Sequence, residues 1–268
     1  MLKNALLPLS LKERLQRLDD MAAYIKNFGT EKVYLCHILE GATARRRGKA
    51  EKRLNQIADL YRDLNLETET IIVDRGNVAE EVCRLTKELE IDYITIKWKR
   101  KNVIKRTILG SPDADILRIC NFPTFIYKTR NYLDPQRHID TVIYATDFQE
   151  TDDKVAPYIR AASQSGKNLY ILHVRDRAPD PDTDNQRREA GLEKLHWLSR
   201  QYMDCYELVE PVVTTGNTRS QIPRYVRRLN ADLIVIGKKD KQEPLDKLIG
   251  STAESVPYKV YSSIFIVP

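Results

Sequence analysis

The chain repeats itself over a long period. Leu109-Gly110-Ser111-Pro112 is answered 140 positions later by Ile249-Gly250-Ser251-Thr252. The same offset pairs Arg75-Gly76-Asn77 with Thr215-Gly216-Asn217, Asp92-Tyr93-Ile94-Thr95-Ile96 with Asp232-Leu233-Ile234-Val235-Ile236, and Thr124-Phe125-Ile126-Tyr127 with Ile264-Phe265-Ile266-Val267. Upstream it contracts to 136, where Tyr34-Leu35-Cys36-His37-Ile38 meets Tyr170-Ile171-Leu172-His173-Val174, as a few residues of length difference between copies would produce. Solenoid repeats run roughly 20 to 50 residues, so this period marks a tandem pair of domains. A length of 268 residues agrees, since one domain takes about 100 to 200. The polar stretch from Arg130 to Arg137 contains Pro135 and follows an apolar run, which puts the seam near Asp134 and the domains at 1–130 and 138–268.

Charge divides unevenly across that seam. Residues 1–130 hold 25 Lys and Arg against 18 Asp and Glu, net +7, and the rest hold 19 against 20, net −1. The excess gathers in Arg45-Arg46-Arg47-Gly48-Lys49 and Lys97-Trp98-Lys99-Arg100-Lys101. No nucleic-acid reading motif accompanies these clusters, and the first reads as a solvated helix face or its leading loop. Cys36, Cys83, Cys120 and Cys205 show no C-x-x-C pairing, so they are expected to be small buried hydrophobes in a reducing compartment. No apolar run is long enough for a membrane span, and Met1 to Pro8 is too short for a signal sequence with its cleavage site. The expectation is a cytoplasmic protein without a membrane partner.

Within each copy short apolar runs alternate with longer amphipathic ones. In the second, strands are expected at Thr141–Ala145, Asn168–Val174, Glu210–Val213, Asp232–Ile236 and Ser263–Val267. Helices are expected at Lys154–Ser165, Glu189–Met203, Arg219–Leu229 and Thr252–Tyr261. Five strands alternating with four helices imply a parallel sheet covered on both faces, an α/β fold of Rossmann-like type. Such sheets bind ligands beyond the carboxyl ends of their strands, where the winding reverses.

In the second copy the loops at that place hold Thr146-Asp147-Phe148 and Gly237-Lys238-Lys239-Asp240. Gly237 ends an apolar strand and permits positive φ or close approach by a ligand. Thirteen positions on, Gly250-Ser251-Thr252 opens a helix, where free N–H groups and a hydroxyl suit phosphate. An ordinary helix start capped by Ser251 or Thr252 accounts for the same residues. Asp147 likewise reads either as a ligand contact or as a helix cap.

These residues resemble the universal stress protein family, whose fingerprint is G-x-x-G, nine residues, then G-[ST]. Gly237, the nine residues Lys241 to Ile249, Gly250 and Ser251 fall in register with it. The resemblance covers nearly the whole chain as two tandem domains. It implies a sheet order of 3-2-1-4-5 in each, and an ATP or AMP site between the first and fourth strands. Carried over, Asp147 contacts the adenosine portion, the backbone at His173 and Val174 lines adenine, Gly216 lets a loop approach, and Gly237, Gly250, Ser251 and Thr252 hold ribose and phosphates. It also implies a homodimer of tandem chains paired through fifth strands, here Thr124 to Lys128 and Ile264 to Val267.

The sequence departs from the fingerprint in two places. Asp240 stands at the second glycine, and like charges a few Å apart repel by roughly 1 to 4 kcal/mol. Lys238, Lys239 and Lys241 offset this, which favours AMP, ADP or Mg²⁺-bridged ATP. In the first copy Lys97 and Arg100 replace both glycines, Ser10 replaces the aspartate, and only Gly110-Ser111 survives, followed by Pro112. That copy is expected to have lost its nucleotide. No phosphate loop, nucleophile elbow or HExxH pair is present. Three readings follow: a regulatory stress-response protein binding adenine nucleotide in its C-terminal domain, a nucleotide-free scaffold or dimerising module, and a slow ATP hydrolase.

Overall fold

The computed structural model describes residues 2–39, 41, 43–98, 111–129, 138–149, 151–238 and 252–268. The chain forms two compact units, Met1–Arg137 and His138–Pro268. In the first unit the elements are β1 (Asn4–Pro8), α1 (Leu15–Lys26), β2 (Lys32–Ile38), α2 (Ala44–Asp63), β3 (Glu67–Val73), α3 (Val78–Glu88), β4 (Tyr93–Lys97), α4 (Pro112–Ile119) and β5 (Thr124–Tyr127). All its strand pairs are parallel and their order is β3-β2-β1-β4-β5.

The second unit runs β6 (Thr141–Thr146), α5 (Thr151–Ala162), β7 (Asn168–Arg175), α6 (Pro181–Arg200), β8 (Leu208–Thr215), α7 (Thr218–Arg228), β9 (Leu233–Gly237), α8 (Thr252–Ser255) and β10 (Ser263–Val267). Its parallel order, β8-β7-β6-β9-β10, is the same winding. A parallel pair cannot be closed by a tight turn, so each crossover carries a helix.

Burial explains which runs became which strands. The inner strands β4 and β9 are buried at four consecutive positions, Tyr93 to Ile96 and Leu233 to Ile236. Strands covered on both faces read as continuous apolar runs. The edge strands β3 and β8 mix in exposed Glu67, Glu69 and Glu210. Asp92 and Asp232 do equivalent work in the two units. Asp92 accepts from the Asn4 N–H at 2.9 Å, and Asp232 accepts from the Asp140 and Thr141 N–H groups at 2.8 and 2.9 Å. Each ties the start of the first strand to the start of the fourth.

Two helices differ from the sequence expectation for local reasons. α6 begins at Pro181, well before Glu189, because the Asp180 carboxylate accepts from the Thr183 N–H at 2.8 Å and Pro181 suits the first helical position. α8 lasts four residues and passes into a 3₁₀ turn at Val256–Tyr258. Pro257 lies in that turn and cannot donate the hydrogen bond a longer α-helix needs there.

The cysteine expectation is corrected for one pair. Cys83 of α3 and Cys120, the residue closing α4, form a disulfide with 5.4 Å between their Cα atoms. Packing of α3 on α4 brings together residues 37 positions apart, which no short spacing could announce. Cys36 is a buried free thiol, as expected, and Cys205 is a partly exposed one.

Candidate functional site

β6 leads into a turn in which Phe148 takes φ +59°, the left-handed region. Leu11 takes φ +62° at the matching place in the first unit, so both copies keep the bend after the first strand. Thr146 holds the bend in the second unit. Its hydroxyl accepts from the Phe148 N–H at 2.9 Å and donates to the Asp152 carboxylate at 2.9 Å. Tyr144 also donates to Asp152. Burial raises the Asp152 carboxyl above its usual range, against the lowering effect of those two hydroxyl bonds, and nearby Asp147 and Asp153 push it further up. Burial and the Asp152 contact raise the Tyr144 phenol.

Asp147 itself is exposed. α5 begins four residues later, at Thr151. In the first unit the corresponding Ser10 donates its hydroxyl to Glu13, and the Ser10 N–H donates to the same carboxylate at 3.2 Å. The duplicated position thus holds an exposed aspartate in one unit and a serine bonded to Glu13 in the other.

His173 lies opposite Thr146 across the β6–β7 pair. Its Nδ1 is 3.0 Å from the Thr146 carbonyl, and His37 Nδ1 is 2.8 Å from the Leu9 carbonyl in the first unit. Each imidazole therefore ties the second strand to the carboxyl end of the first, at its last residue in one unit and just past it in the other. The Phe148 ring covers His173 at 4.3 Å between centroids, and Lys194 Nζ lies 5.5 Å from the Phe148 ring. β7 continues past Thr146's partner through Val174 to Arg175, pairing on its other side with Thr214 and Thr215. On the β6 side the backbone at Val174 runs beyond the ladder. Arg175 clamps Asp184 at 2.5 and 2.6 Å, and that bidentate hydrogen bonding brings the Asp184 carboxyl down to about 2.

Gly216 takes φ +131° after β8, a conformation side chains rarely adopt. A Cβ there would lie 3.0 Å from Gln221 Nε2, which donates to the Thr215 carbonyl at 3.1 Å. Its twin Gly76, at φ +143°, faces Glu81 in the same way. The chain's own turn is a sufficient reason for both glycines. Gly237 closes β9 in register with Val267 and is not among the positive-φ glycines. What it offers a ligand is the absence of a side chain, where the first unit has Lys97. Thr252 opens the short α8, and its carbonyl accepts from the Ser255 hydroxyl at 3.2 Å.

Thr146, Asp147, His173, Val174, Gly216 and Gly237 thus stand at the carboxyl ends of β6 to β9. The register sets Ala145 against Ile236, so the ends of β6 and β9 adjoin. Gly250, Ser251 and Asp240, with Gly110 and Arg100 of the first copy, lie outside the described residues. Ser111 is described, and its hydroxyl accepts from the Ala114 N–H at 3.4 Å as the cap of α4. Phe148, Asp152 and Lys194 were not singled out in the sequence. Asp152 falls just before the helix expected at Lys154 and is in the first turn of the observed α5; Phe148 was legible only as a member of the loop after the first strand, and Lys194 only as a polar position in an expected helix. A groove between α6 and α7 over β8, lined by Arg188, Leu192, Val213, Tyr225 and Arg228, contains none of the expected residues. Among the described residues no helix is long and apolar enough to cross a membrane.

Comparison with known proteins agrees with the duplicated geometry. The family model described as "Universal stress protein family" matches residues 1–128 and again 138–268. A universal stress protein E homolog of Haemophilus influenzae is 20% identical over 217 residues, covering 75% of this chain and 70% of the relative. Among solved structures, a universal stress protein from Archaeoglobus fulgidus superimposes with a TM-score of 0.74 at 20% identity, covering 98% of this chain and 95% of the other. A putative universal stress protein from Pseudomonas aeruginosa gives a TM-score of 0.69 at 18% identity, over 99% and 93% of the respective chains. With two successive matches that span both units, the chain belongs to the universal stress protein family.

Proposed function

We propose that the second unit binds an adenine nucleotide, AMP, ADP or Mg²⁺-bridged ATP, and that the chain is a cytoplasmic stress-response regulator rather than an enzyme. The observation that carries this reading is the open end of β7 beside Asp147. The Val174 backbone runs past its last β6 partner, as a base edge requires, and the adjacent loop holds an exposed carboxylate suited to ribose hydroxyls. The imidazole of His173 is already hydrogen bonded and its face is covered by Phe148. Its contribution to the ligand is therefore through backbone. Gly237 and Gly250 would leave room for sugar and phosphates, and Ser251 and Thr252 would supply hydroxyls. In the first unit the carboxylate is replaced by Ser10, bonded to Glu13, and Gly237 by Lys97.

Thermal unfolding of the full chain with AMP, ADP and ATP, each with Mg²⁺, tests this. At 100 times its dissociation constant a ligand adds about 2.7 kcal/mol to the native state. Gly250→Tyr is expected to abolish the shift and Gly110→Tyr to leave it. No shift with any nucleotide, with no adenine absorbance copurifying, would overturn this reading and favour the scaffold, and the reverse pattern of variants would move the site to the first unit.

A further inference from the structure

The Cys83–Cys120 bridge stands outside the proposed nucleotide site, and its two sulfurs differ in environment. Cys83 sits on α3 at a partly exposed position, flanked on the helix surface by exposed Glu80, Arg84 and Lys87. Cys120 is 5% exposed, and its Sγ lies 3.7 Å from the Ala79 carbonyl oxygen. That carbonyl is an acceptor for a Cys120 thiol once the bridge opens, so the reduced state leaves no buried S–H unmet. The duplicate serves as an internal control. At the same offset the second unit has Pro223 and Val260, and it builds the same sheet order without a bridge. The fold therefore does not require the disulfide, and the pair is an addition peculiar to the first unit.

We propose that Cys83 and Cys120 form a reversible thiol–disulfide exchange site whose substrate is a low-molecular-weight thiol couple of the glutathione class, with Cys83 the sulfur attacked. A thiolate attacks Cys83 Sγ, and the Cys83–Cys120 bond breaks as the mixed disulfide forms. Cys120 leaves as a thiolate and takes a proton. A second thiolate then attacks the outer sulfur of the mixed disulfide, releasing oxidised couple and the Cys83 thiolate. Overall, one protein disulfide and two thiols give two protein thiols and one small disulfide, and oxidation is the reverse. Exchange depends on access to the attacked sulfur, which selects Cys83, the less buried residue of the pair. The state of the bridge decides whether the end of α4 is covalently held to α3.

The other two cysteines supply controls. Burial pushes the Cys36 thiol up to about 12, which leaves it unreactive, and Cys205 is the partly exposed free thiol. The full chain is equilibrated across ratios of reduced to oxidised glutathione, quenched with acid, and alkylated after unfolding. Of the four thiols, two are expected to disappear reversibly as the couple is made oxidising. Cys120→Ser should accumulate a stable glutathione adduct at Cys83, while Cys83→Ser should leave Cys120 unmodified in the native protein. Should either variant fail to fold, acid-quenched wild type caught during reduction is mapped for the adduct, expected on Cys83 alone. Thiols that stay reduced at every ratio, a bridge that resists excess dithiothreitol in the native protein, or an adduct on Cys120 would each overturn the proposal.

Discussion

At the scale of single residues, duplication separates what the fold needs from what one copy alone displays. His37 and His173 make the same kind of bond to a carbonyl at the carboxyl end of the first strand, and Gly76 and Gly216 turn against their own chain. These are duties both copies share, and they leave the backbone at His173 available for the ligand contact expected of it. Asp147 has no carboxylate counterpart in the first unit, where Ser10 stands at its place and is bonded to Glu13. Tyr144→Phe is expected to remove a hydroxyl donor from the half-buried Asp152 carboxyl, costing about 1.5 to 3 kcal/mol as a bond to a charged group does; urea denaturation of the second unit measures it. Asp184 offers a pH test. Its carboxyl is held at about 2 by Arg175, below the usual 3.8. Its stabilising effect is present above the unfolded value and is lost as pH falls from about 4 through about 2. An NMR titration of the Asp184 carboxyl should show a midpoint near 2, and Arg175→Gln should return it toward 3.8.

Among the elements, strands were more legible than helices. Leu233 to Ile236 could be read from the sequence because an inner parallel strand is apolar throughout, and Ser263 to Val267 because Ile264 to Val267 form an unbroken apolar run. The early start of α6 was hidden, since residues 181 to 188 are almost all polar and the helix there rests on the Asp180 cap and Pro181 rather than on an apolar stripe. Proline in the 3₁₀ turn shortened α8 for the opposite reason, a missing donor inside an apolar pattern. Asn77 and Asn217 cap α3 and α7 through bonds of 3.0 Å to Ala79 and Arg219 N–H groups. Replacing either by Ala should cost about 1 kcal/mol, seen as equal losses in the unit concerned. The α3–α4 disulfide could not be read at all, because 37 residues separate its ends and only packing joins them. With that loop length, removing it by Cys83→Ser should cost about 3 to 4 kcal/mol in the chain-entropy account. A loss confined to the first unit, measured by hydrogen exchange, is the expected pattern.

For the whole molecule, the 140-residue period was the most informative feature of the sequence. It fixed two domains of one winding, and the family match repeats over the same two stretches. The inequality between them was legible as well, since Lys97 in place of a glycine and Ser10 in place of an aspartate mark the first copy as the departed one; the structure adds the bond from Ser10 to Glu13, which no sequence pattern announces. The net charge of +7 in residues 1–130 against −1 in the remainder follows the same division. An ancestral pair of like sites would take two ligands, whereas the present pair is proposed to take one. Equilibrium dialysis of the full chain against AMP, ADP and Mg²⁺-ATP counts them directly. One nucleotide bound per chain at saturation, lost in Gly250→Tyr, is the predicted result; two per chain, or none with any of the three, would contradict it.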